Sequence, residues 1–294
     1  MLTNLFARNP KAREALSDKH VLIVGVGSIG STIADMAARA GVGKLTQVDP
    51  ETLSVENLAR HILTSRWIGK PKVAGMAAHI SEINPGCQAI SIADRFDPNV
   101  FGEPRRVNTF GSDGCTERHL SFGKPDVIVA ATDSYQCSSR VNAYSLAANV
   151  PAVFGGVWGP ARVAEILYSI PGKTACYECF ASFRKEAREI PRDPESYKDP
   201  NIDVTKVPGQ EGLWCNVLMA ASLQFQVVLG LFGLLDNIDF EHTLWLMNIS
   251  DFASPLQPLA VTFGKVRKGC AVCDPSKLSD LVPGSRNYSD ALSP

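Results

Sequence analysis

The sequence predicts an α/β protein with a Rossmann-like, doubly wound sheet that is parallel in its first half and extended by antiparallel strands. The first observation is the stretch 21–50, which has the pattern of a strand, a glycine turn, a helix and a second strand. The second is that apolar strands alternate with helices as far as Phe154, which implies parallel pairing with right-handed crossovers. After Gly159 a strand of alternating polarity follows, and we expect the later strands to extend the sheet in antiparallel fashion.

The composition restricts the class of function. The 294 residues carry a net charge of −1 with a sequence pI near 6.5, which argues against a general binder of nucleic acid or of membrane surfaces. The sequence has no run of about 18 apolar residues, and its first residues lack the pattern of a signal peptide. We therefore expect a cytoplasmic protein.

The turn after the first strand has the residues of a nucleotide site. Gly25, Gly27 and Gly30 form a GxGxxG pattern, in which missing side chains let the backbone approach a phosphate and let the next helix lie close to the sheet. That helix, predicted over 31–40, would direct its free N–H groups at the turn. Asp49 ends the second strand, where a carboxylate can accept hydrogen bonds from ribose hydroxyls. A tight turn without a ligand is the alternative for the glycines alone, and Asp49 does not separate a nicotinamide dinucleotide from ATP.

The remaining elements are predicted from hydrophobic period and from helix and turn signals. Residues 1–20 contain a leading helix, and residues 97–125 form an irregular surface insertion with several glycines and prolines. Residues 213–235 are apolar enough for a buried helix, whose amide side chains argue against a membrane span. Residues 184–210 form a charged crossing loop, and residues 275–294 form a loose tail. The other predicted elements are a polar loop over 53–72, a helix over 72–83, a helix that follows Ser134 and runs to about Asn149, and strands over 45–48, 89–92, 126–131, 152–154, 162–170, 242–249 and 259–263.

Four of the eight cysteines form two CxxC pairs, Cys176 with Cys179 and Cys270 with Cys273. Each pair places two thiolates on one tight turn, and two pairs supply the four soft ligands of a tetrahedral zinc site. About ninety residues separate the pairs, so the metal would fasten the C-terminal part of the chain to the crossing loop. Four thiolates leave no open position for water, which predicts structural rather than catalytic zinc. Free or redox-active dithiols are the alternative.

Polar residues near the carboxyl ends of the strands suit a triphosphate. Asn57, Arg60 and Lys72 follow the predicted ribose acid, and one amide with two cations can bind a phosphate tail. The alternative for these residues is an ordinary solvated face. Asp133 follows the fourth strand, where a carboxylate can hold a Mg²⁺ ion that bridges phosphates. Its alternative role is to cap the following helix, and the two roles are compatible.

In this order the motifs resemble the ThiF/MoeB/HesA family, relatives of the ubiquitin-activating enzymes. The motifs that carry the resemblance are GxGxxG, Asp49, ENLARH at 56–61, GKPK at 69–72, INP at 83–85, TDS at 132–134 with Arg140 and Asn142, and the paired CxxC. The resemblance covers about residues 12–274, which would form one adenylation domain. It implies that ATP and Mg²⁺ adenylate the C-terminal carboxylate of a ubiquitin-like or sulfur-carrier protein, on a homodimeric scaffold.

The resemblance also implies roles for single residues. The glycine turn would hold the nucleotide, and Asp49 would hold its ribose. Arg60 and Lys72 match the family's phosphate-binding cations, Asn57 matches its asparagine, and Asp133 matches its catalytic, Mg²⁺-binding aspartate. Because the attacking group is already a carboxylate, catalysis would come from alignment and from cations that stabilise charge as pyrophosphate leaves.

Cys215 is the candidate for a second step. It lies at the start of the long apolar helix, whose N-terminus would favour a thiolate, and several family members have a transfer cysteine in a similar place. There it would accept the activated protein as a thioester, whereas a buried structural cysteine is the alternative. Cys115 and Cys137 are weaker candidates.

Two features depart from the family pattern. The family's Arg-Tyr-x-Arg-Gln segment upstream of the first strand is absent from this sequence, so either Arg8 or Arg13 replaces it or the chain is a fragment. The family's usual Asn-Arg-Gln is Ala59, Arg60 and His61 here, which puts the role of the glutamine in doubt.

Two other functions compete with adenylation. A nicotinamide-dependent oxidoreductase would explain the glycines and Asp49, but it leaves Arg60, Lys72, Asp133 and the zinc site without a purpose. A catalytically silent scaffold could use the same fold to bind a carrier protein. The sequence does not name the carrier, or decide whether a conjugating enzyme or a sulfurtransferase receives the activated carboxylate.

Overall fold

A computed structural model describes residues 5–98, 105–111, 114–120, 123–158, 161–181, 212–235, 243–248, 258–261, 269–270 and 272–274. Its helices are α1 Pro10–Leu16, α2 Ser28–Ala40, α3 Lys72–Ile83, α4 Tyr135–Ala148 and α5 Trp214–Leu231. Its strands are β1 His20–Val24, β2 Lys44–Val48, β3 Gln88–Ile92, β4 Arg105–Gly111, β5 Gly114–Leu120, β6 Val127–Ala130, β7 Ala152–Trp158, β8 Val163–Ser169, β9 Leu244–Asn248 and β10 Pro258–Val261. The predicted crossing loop 184–210 and tail 275–294 lie outside the described residues.

Eight strands form one sheet in the order β10-β9-β8-β7-β6-β1-β2-β3. β1 pairs in parallel with β2 and β6, and parallel pairing continues to β3 on one side and β7 on the other. β8, β9 and β10 pair in antiparallel fashion. The predicted fold class is confirmed. The strand order switches at β1, because β2 and β3 follow on one side of it and β6 and β7 on the other. Open α/β sheets form their ligand crevice at such a switch point, which here lies between β1 and β6.

Strand β1 shows why the sheet has a helical layer on each face. All five of its residues are buried, and successive side chains point to opposite faces. Val21 and Ile23 belong to a core that includes residues of α2, α3 and α5, whereas Leu22 and Val24 belong to a second core that includes residues of α4. Burial on both faces explains the continuous apolar run in the sequence.

Helix α5 contacts α2, β7 and β8. By length and composition alone it could cross a membrane, but 33% of it is buried inside the fold. Its buried residues form one stripe that includes Ala221, Gln224 and Phe225. The Gln224 side-chain N–H group lies 3.4 Å from the carbonyl of Ala130 and 3.3 Å from that of Val153. The sequence predicted a buried helix, whereas the structure buries only the stripe that faces the sheet.

The segment 97–125 differs from the predicted irregular insertion. β4 and β5 pair in antiparallel fashion from Arg105 with Leu120 to Gly111 with Gly114, and β4 contacts β3 and α3. The glycines and prolines around this segment indicated a loop, but between them the sequence contains β-branched and aromatic residues that favour strands.

Helix α2 begins at Ser28 rather than at the predicted Ser31, so Gly30 lies inside its first turn. A Cβ atom at Gly30 would stand 1.9 Å from the carbonyl oxygen of Gly25. Gly25 itself has a φ of +87°, and a Cβ there would stand 2.6 Å from the carbonyl oxygen of Ala131. Both glycines are therefore required for the close contact of α2, the turn and β6.

We expect Gly30→Ala to lower the free energy of unfolding by at least about 2 kcal/mol, because backbone atoms block the added methyl group. Gly27→Ala is the matched control, since a Cβ at Gly27 would meet nothing within 4 Å, and its loss should stay within about 1 kcal/mol. Urea unfolding of both variants measures the difference. Equal losses would contradict this account of the turn.

Candidate nucleotide and metal sites

Three predicted site residues lie at one edge of the sheet. Gly25 follows β1, Asp49 follows β2 and Asp133 follows β6, so all lie at the carboxyl ends of parallel strands. Backbone hydrogen bonds connect these ends, since Gly25 N–H donates to Val48 at 2.9 Å and Ala131 N–H donates to Val24 at 2.8 Å. The structure therefore brings these three residues to the edge at which open α/β sheets bind their ligands.

The glycine turn leaves the start of α2 open to an anion. Gly27 is the N-cap residue of α2, and no side chain of the described residues caps this helix. The N–H groups of the first turn therefore remain available, and the helix dipole adds a positive potential there. The open space at Gly27 lets a phosphate approach the backbone.

Asp49 connects the end of β2 to the glycine turn. One carboxylate oxygen accepts from Val26 N–H at 2.6 Å, and the other accepts from Glu51 N–H at 2.8 Å. Only 5% of the residue is exposed. Burial raises the pKa of this carboxyl above its usual value, while the two N–H groups and the charge of Lys72 oppose that rise. Asp49, the residue predicted to bind the ribose, therefore lies against the glycine turn and also stabilises it through these hydrogen bonds.

His61 holds the same turn from the opposite side. Its Nδ1 accepts from Leu63 N–H at 3.0 Å, so Nε2 carries the proton and donates to the carbonyl of Val26 at 2.8 Å. The residue is 6% exposed, and burial lowers its pKa to about 4. The Val26 peptide units are therefore held by Asp49 through the N–H and by His61 through the carbonyl. From the sequence alone, His61 was noted only because it stands where the family usually has a glutamine, and its contact with the glycine turn was not predicted.

The predicted polar loop after Asp49 contains 3₁₀ helices at Val55–Arg60 and Ser65–Trp67. Asn57 Oδ1 accepts from Ser54 N–H at 3.1 Å and so helps to cap the first of them. Side chains three residues apart share a face of a 3₁₀ helix, which places Asn57 and half-buried Arg60 on one side.

Lys72 is the first residue of α3 and is 4% exposed. Its ammonium group lies 2.5 Å from a carboxylate oxygen of Glu51, and its backbone N–H donates to the Glu51 carbonyl at 3.0 Å. The Glu51 side chain is 68% exposed, so a buried cation pairs with a carboxylate that lies largely in solvent. A phosphate arriving from solvent could replace that carboxylate without unfolding any element.

Asp133 is exposed between β6 and α4. The N-cap residue of α4 is Ser134, whose hydroxyl accepts from Cys137 N–H at 3.3 Å. The alternative that Asp133 caps this helix is therefore wrong. Burial raises the pKa of the Cys137 thiol, and the negative charges of Asp133 and Asp49 add to that rise.

The four paired cysteines converge as predicted. Cys176 Sγ lies 3.9 Å from the sulfurs of Cys179 and Cys270, and Cys179 Sγ lies 3.4 Å from that of Cys273. All four sulfurs lie within 4.8 Å of one another, and three of the residues are buried. This donor set and its spacing fit a closed, tetrahedral zinc site, which would stabilise the fold without binding substrate.

A family model described as "ThiF family" matches residues 3–266. The chain belongs to the ThiF family. Ubiquitin-like modifier-activating enzyme 5 of Drosophila simulans is 30% identical over 227 residues, which are 75% of this chain and 52% of the relative. The same enzyme of Drosophila grimshawi is 29% identical over 227 residues, 75% of this chain and 53% of that protein. This ThiF-family chain thus spans about half the length of the curated relatives it matches.

Solved structures support the fold of this ThiF-family chain. Escherichia coli MccB with ATP superposes with a TM-score of 0.66 at 18% identity, over 92% of this chain and 74% of MccB. PaaA superposes with a TM-score of 0.61 at 15% identity, over 87% of this chain and 67% of PaaA. At these identities the likeness concerns the fold alone.

Cys215 lies at the second position of α5 and is exposed, so the alternative of a buried structural cysteine is wrong. Its thiol donates to Asn216 Oδ1 at 3.4 Å. Helix α5 contacts the 3₁₀ helix that contains Asn57 and Arg60.

Arg13, one of the two arginines named as replacements for the missing arginine segment, places its guanidinium 5.4 Å from the centre of the Phe6 ring.

We expect the free energy of unfolding to fall as the pH decreases from about 6.5 to about 4. His61 and His20 both have a pKa of about 4 because of burial, against an ordinary 6.5, so the unfolded chain binds more protons in that window. For His61 the loss between pH 7 and pH 4.5 should be about 2 kcal/mol.

His61→Gln should remove that part of the pH dependence, and His20→Gln should remove a comparable share. Urea unfolding at a series of pH values measures both slopes. An unchanged slope in His61→Gln would show that the histidine is not held neutral in the folded protein.

Proposed function

We propose that this protein uses ATP and Mg²⁺ to adenylate the C-terminal carboxylate of a small ubiquitin-like or sulfur-carrier protein. The observation that carries the proposal is the buried Lys72 ammonium, which pairs with solvent-exposed Glu51 and whose charge acts on Asp49. A buried ammonium group whose carboxylate partner lies in solvent can exchange that partner for the negative charge of a ligand.

The other groups of the crevice fit the parts of ATP. The open start of α2 suits phosphate oxygens, and the Asp49 carboxylate beside the glycine turn would accept hydrogen bonds from the ribose hydroxyls. Arg60 would join Lys72 on the phosphates. Asp133 is exposed and does not cap α4, so its carboxylate can hold a Mg²⁺ ion that bridges phosphates.

The reaction needs little acid–base chemistry. A carboxylate oxygen of the carrier attacks the α-phosphorus of ATP, a bond forms to give the acyl-adenylate, and the bond to the β-phosphate oxygen breaks to release pyrophosphate. Lys72 and Arg60 would stabilise the charge that grows on the leaving group. The helix start and Asp49 would fix the nucleotide so that attack occurs in line.

The similar proteins support this class of reaction. The curated relatives are named ubiquitin-like modifier-activating enzymes, and MccB has been crystallised with ATP and with N-formylated MccA. A protein C-terminus is thus the proposed substrate. We further propose that the Cys215 thiolate attacks the acyl-adenylate, so that a thioester forms and AMP leaves; the exposure of that thiol supports this step.

We also propose that the chain works as a homodimer in the cytoplasm. Family resemblance supports the dimer. The four clustered cysteines support a reducing compartment, because thiolates must remain unoxidised to bind a metal.

ATP binding by calorimetry, with and without Mg²⁺, tests the proposal. Lys72→Ala and Glu51→Gln both break the same ion pair, but only the first removes a phosphate ligand. We expect Lys72→Ala and Arg60→Ala to weaken ATP binding by at least roughly tenfold. Glu51→Gln should bind ATP at least as tightly as the wild type, since it removes a competing negative charge.

Equal losses in Lys72→Ala and Glu51→Gln would show that the ion pair has only a structural role. Binding of NADH without binding of ATP would favour the oxidoreductase. Binding of neither nucleotide would favour the silent scaffold.

A further inference from the structure

Glu178, which lies between the two cysteines of the first CxxC pair, is hydrogen-bonded to α4. Tyr135 donates its hydroxyl to one carboxylate oxygen at 2.8 Å, and Ser139 donates its hydroxyl to the other. Tyr135 and Ser139 are four residues apart and so lie on one face of the helix. Both oxygens of Glu178 are thus engaged by the first turns of α4.

The neighbouring residue strengthens this contact. Tyr177 donates its backbone N–H to the side-chain oxygen of buried Asn142 at 3.0 Å, and Asn142 continues the stripe of Tyr135 and Ser139. The Tyr177 ring stacks on Phe154 of β7, which pairs with Ala130 at the carboxyl end of β6, with ring centres 4.7 Å apart. The segment Tyr177–Glu178 therefore contacts both α4 and the edge of the sheet that carries the crevice.

Among the described residues, the first turn of α4 is otherwise held by the Ser134 cap, by half-buried Cys137 and by buried Ser138. Tyr135 and Gln136 are exposed, and the first fully buried apolar residue of the helix is Val141, in its second turn. Asp133 stands two residues before the start of this helix. The hydrogen bonds to Glu178 therefore restrain the turn of α4 that directly follows Asp133.

The position of Glu178 depends in turn on the cysteine cluster. Cys176 and Cys179 flank it, and their sulfurs lie 3.9 Å apart in the cluster. A metal ion held by the four thiolates would fix the backbone of this short segment. The metal site, Glu178 and the start of α4 thus form one connected chain of contacts.

We propose that Glu178 is a positioning residue that connects the metal site to α4 and so fixes the place of Asp133. This inference rests on the proposed function for the role of Asp133, whereas the restraint on α4 does not depend on it. Occupancy of a metal site that binds no substrate would then control the geometry of the nucleotide crevice.

Hydrogen–deuterium exchange at the α4 amides tests the restraint directly. The variants are Glu178→Ala and the double variant Tyr135→Phe with Ser139→Ala, which removes the same hydrogen bonds and leaves the CxxC segment unaltered. Glu82→Ala is the control, because Glu82 is an exposed carboxylate paired with Arg66 on other elements. Zinc content is measured on every sample.

We expect the Cys137 and Ser138 amides to exchange roughly tenfold faster in both test variants, with about one zinc ion per chain retained. Removal of zinc from the wild type by a chelator should accelerate the same amides. Glu82→Ala should match the wild type. Unchanged exchange in the double variant would overturn the proposal, even if Glu178→Ala loses its metal.

ATP affinity measured on the same samples connects the restraint to Asp133. In the wild type Mg²⁺ should strengthen ATP binding, and Glu178→Ala should reduce that gain several-fold while leaving Mg²⁺-free binding unchanged. In an Asp133→Ala background, Glu178→Ala should have no further effect, and additive losses would overturn the positioning role. A wild type that binds no ATP would instead refute the proposed function, while the exchange data still decide the restraint.

Discussion

The proposed nucleotide site depends on the two hydrogen bonds that hold Val26 inside the glycine turn. Asp49 accepts from its N–H at 2.6 Å, and His61 donates to its carbonyl at 2.8 Å. These side chains come from different segments, one at the end of β2 and one after the 3₁₀ helix that contains Arg60. Val26 therefore fixes the glycine turn, the predicted ribose acid and the proposed phosphate-binding segment relative to one another.

This arrangement explains the unusual burial of charge at the crevice. Asp49 and Lys72 are both almost fully buried, and a buried charge is tolerated only when it is paired and hydrogen-bonded. Asp49 has two N–H donors, and Lys72 has the carboxylate of Glu51. His61 avoids the cost by remaining neutral, which also preserves its ability to accept from Leu63. The charged groups of the proposed site are thus paired without a ligand, and Glu51 is the partner that we propose a phosphate replaces.

Local patterns in the sequence predicted the framework of the site. The glycines, Asp49 and the four cysteines were found because each belongs to a short motif with a fixed spacing. The His61 contact was missed because it joins residues 35 positions apart, and Glu178 contacts Tyr135 and Ser139 at separations of 43 and 39. No local rule ranks such pairings before the fold is known. The β4–β5 pair was missed for a different reason, since flanking glycines and prolines outweighed its strand-forming residues.

The most direct test of the central claim is to locate the phosphates of bound ATP by backbone-amide NMR. Addition of ATP with Mg²⁺ should shift the amides of Gly27 and Ser28 at the start of α2 most strongly, together with those of the 55–60 segment and of Asp133. NADH at the same concentration should leave the 55–60 amides and Asp133 unchanged. Shifts produced by ATP elsewhere on the molecule, with the glycine turn unaffected, would contradict the claim that the turn held by Asp49 and His61 is the nucleotide site.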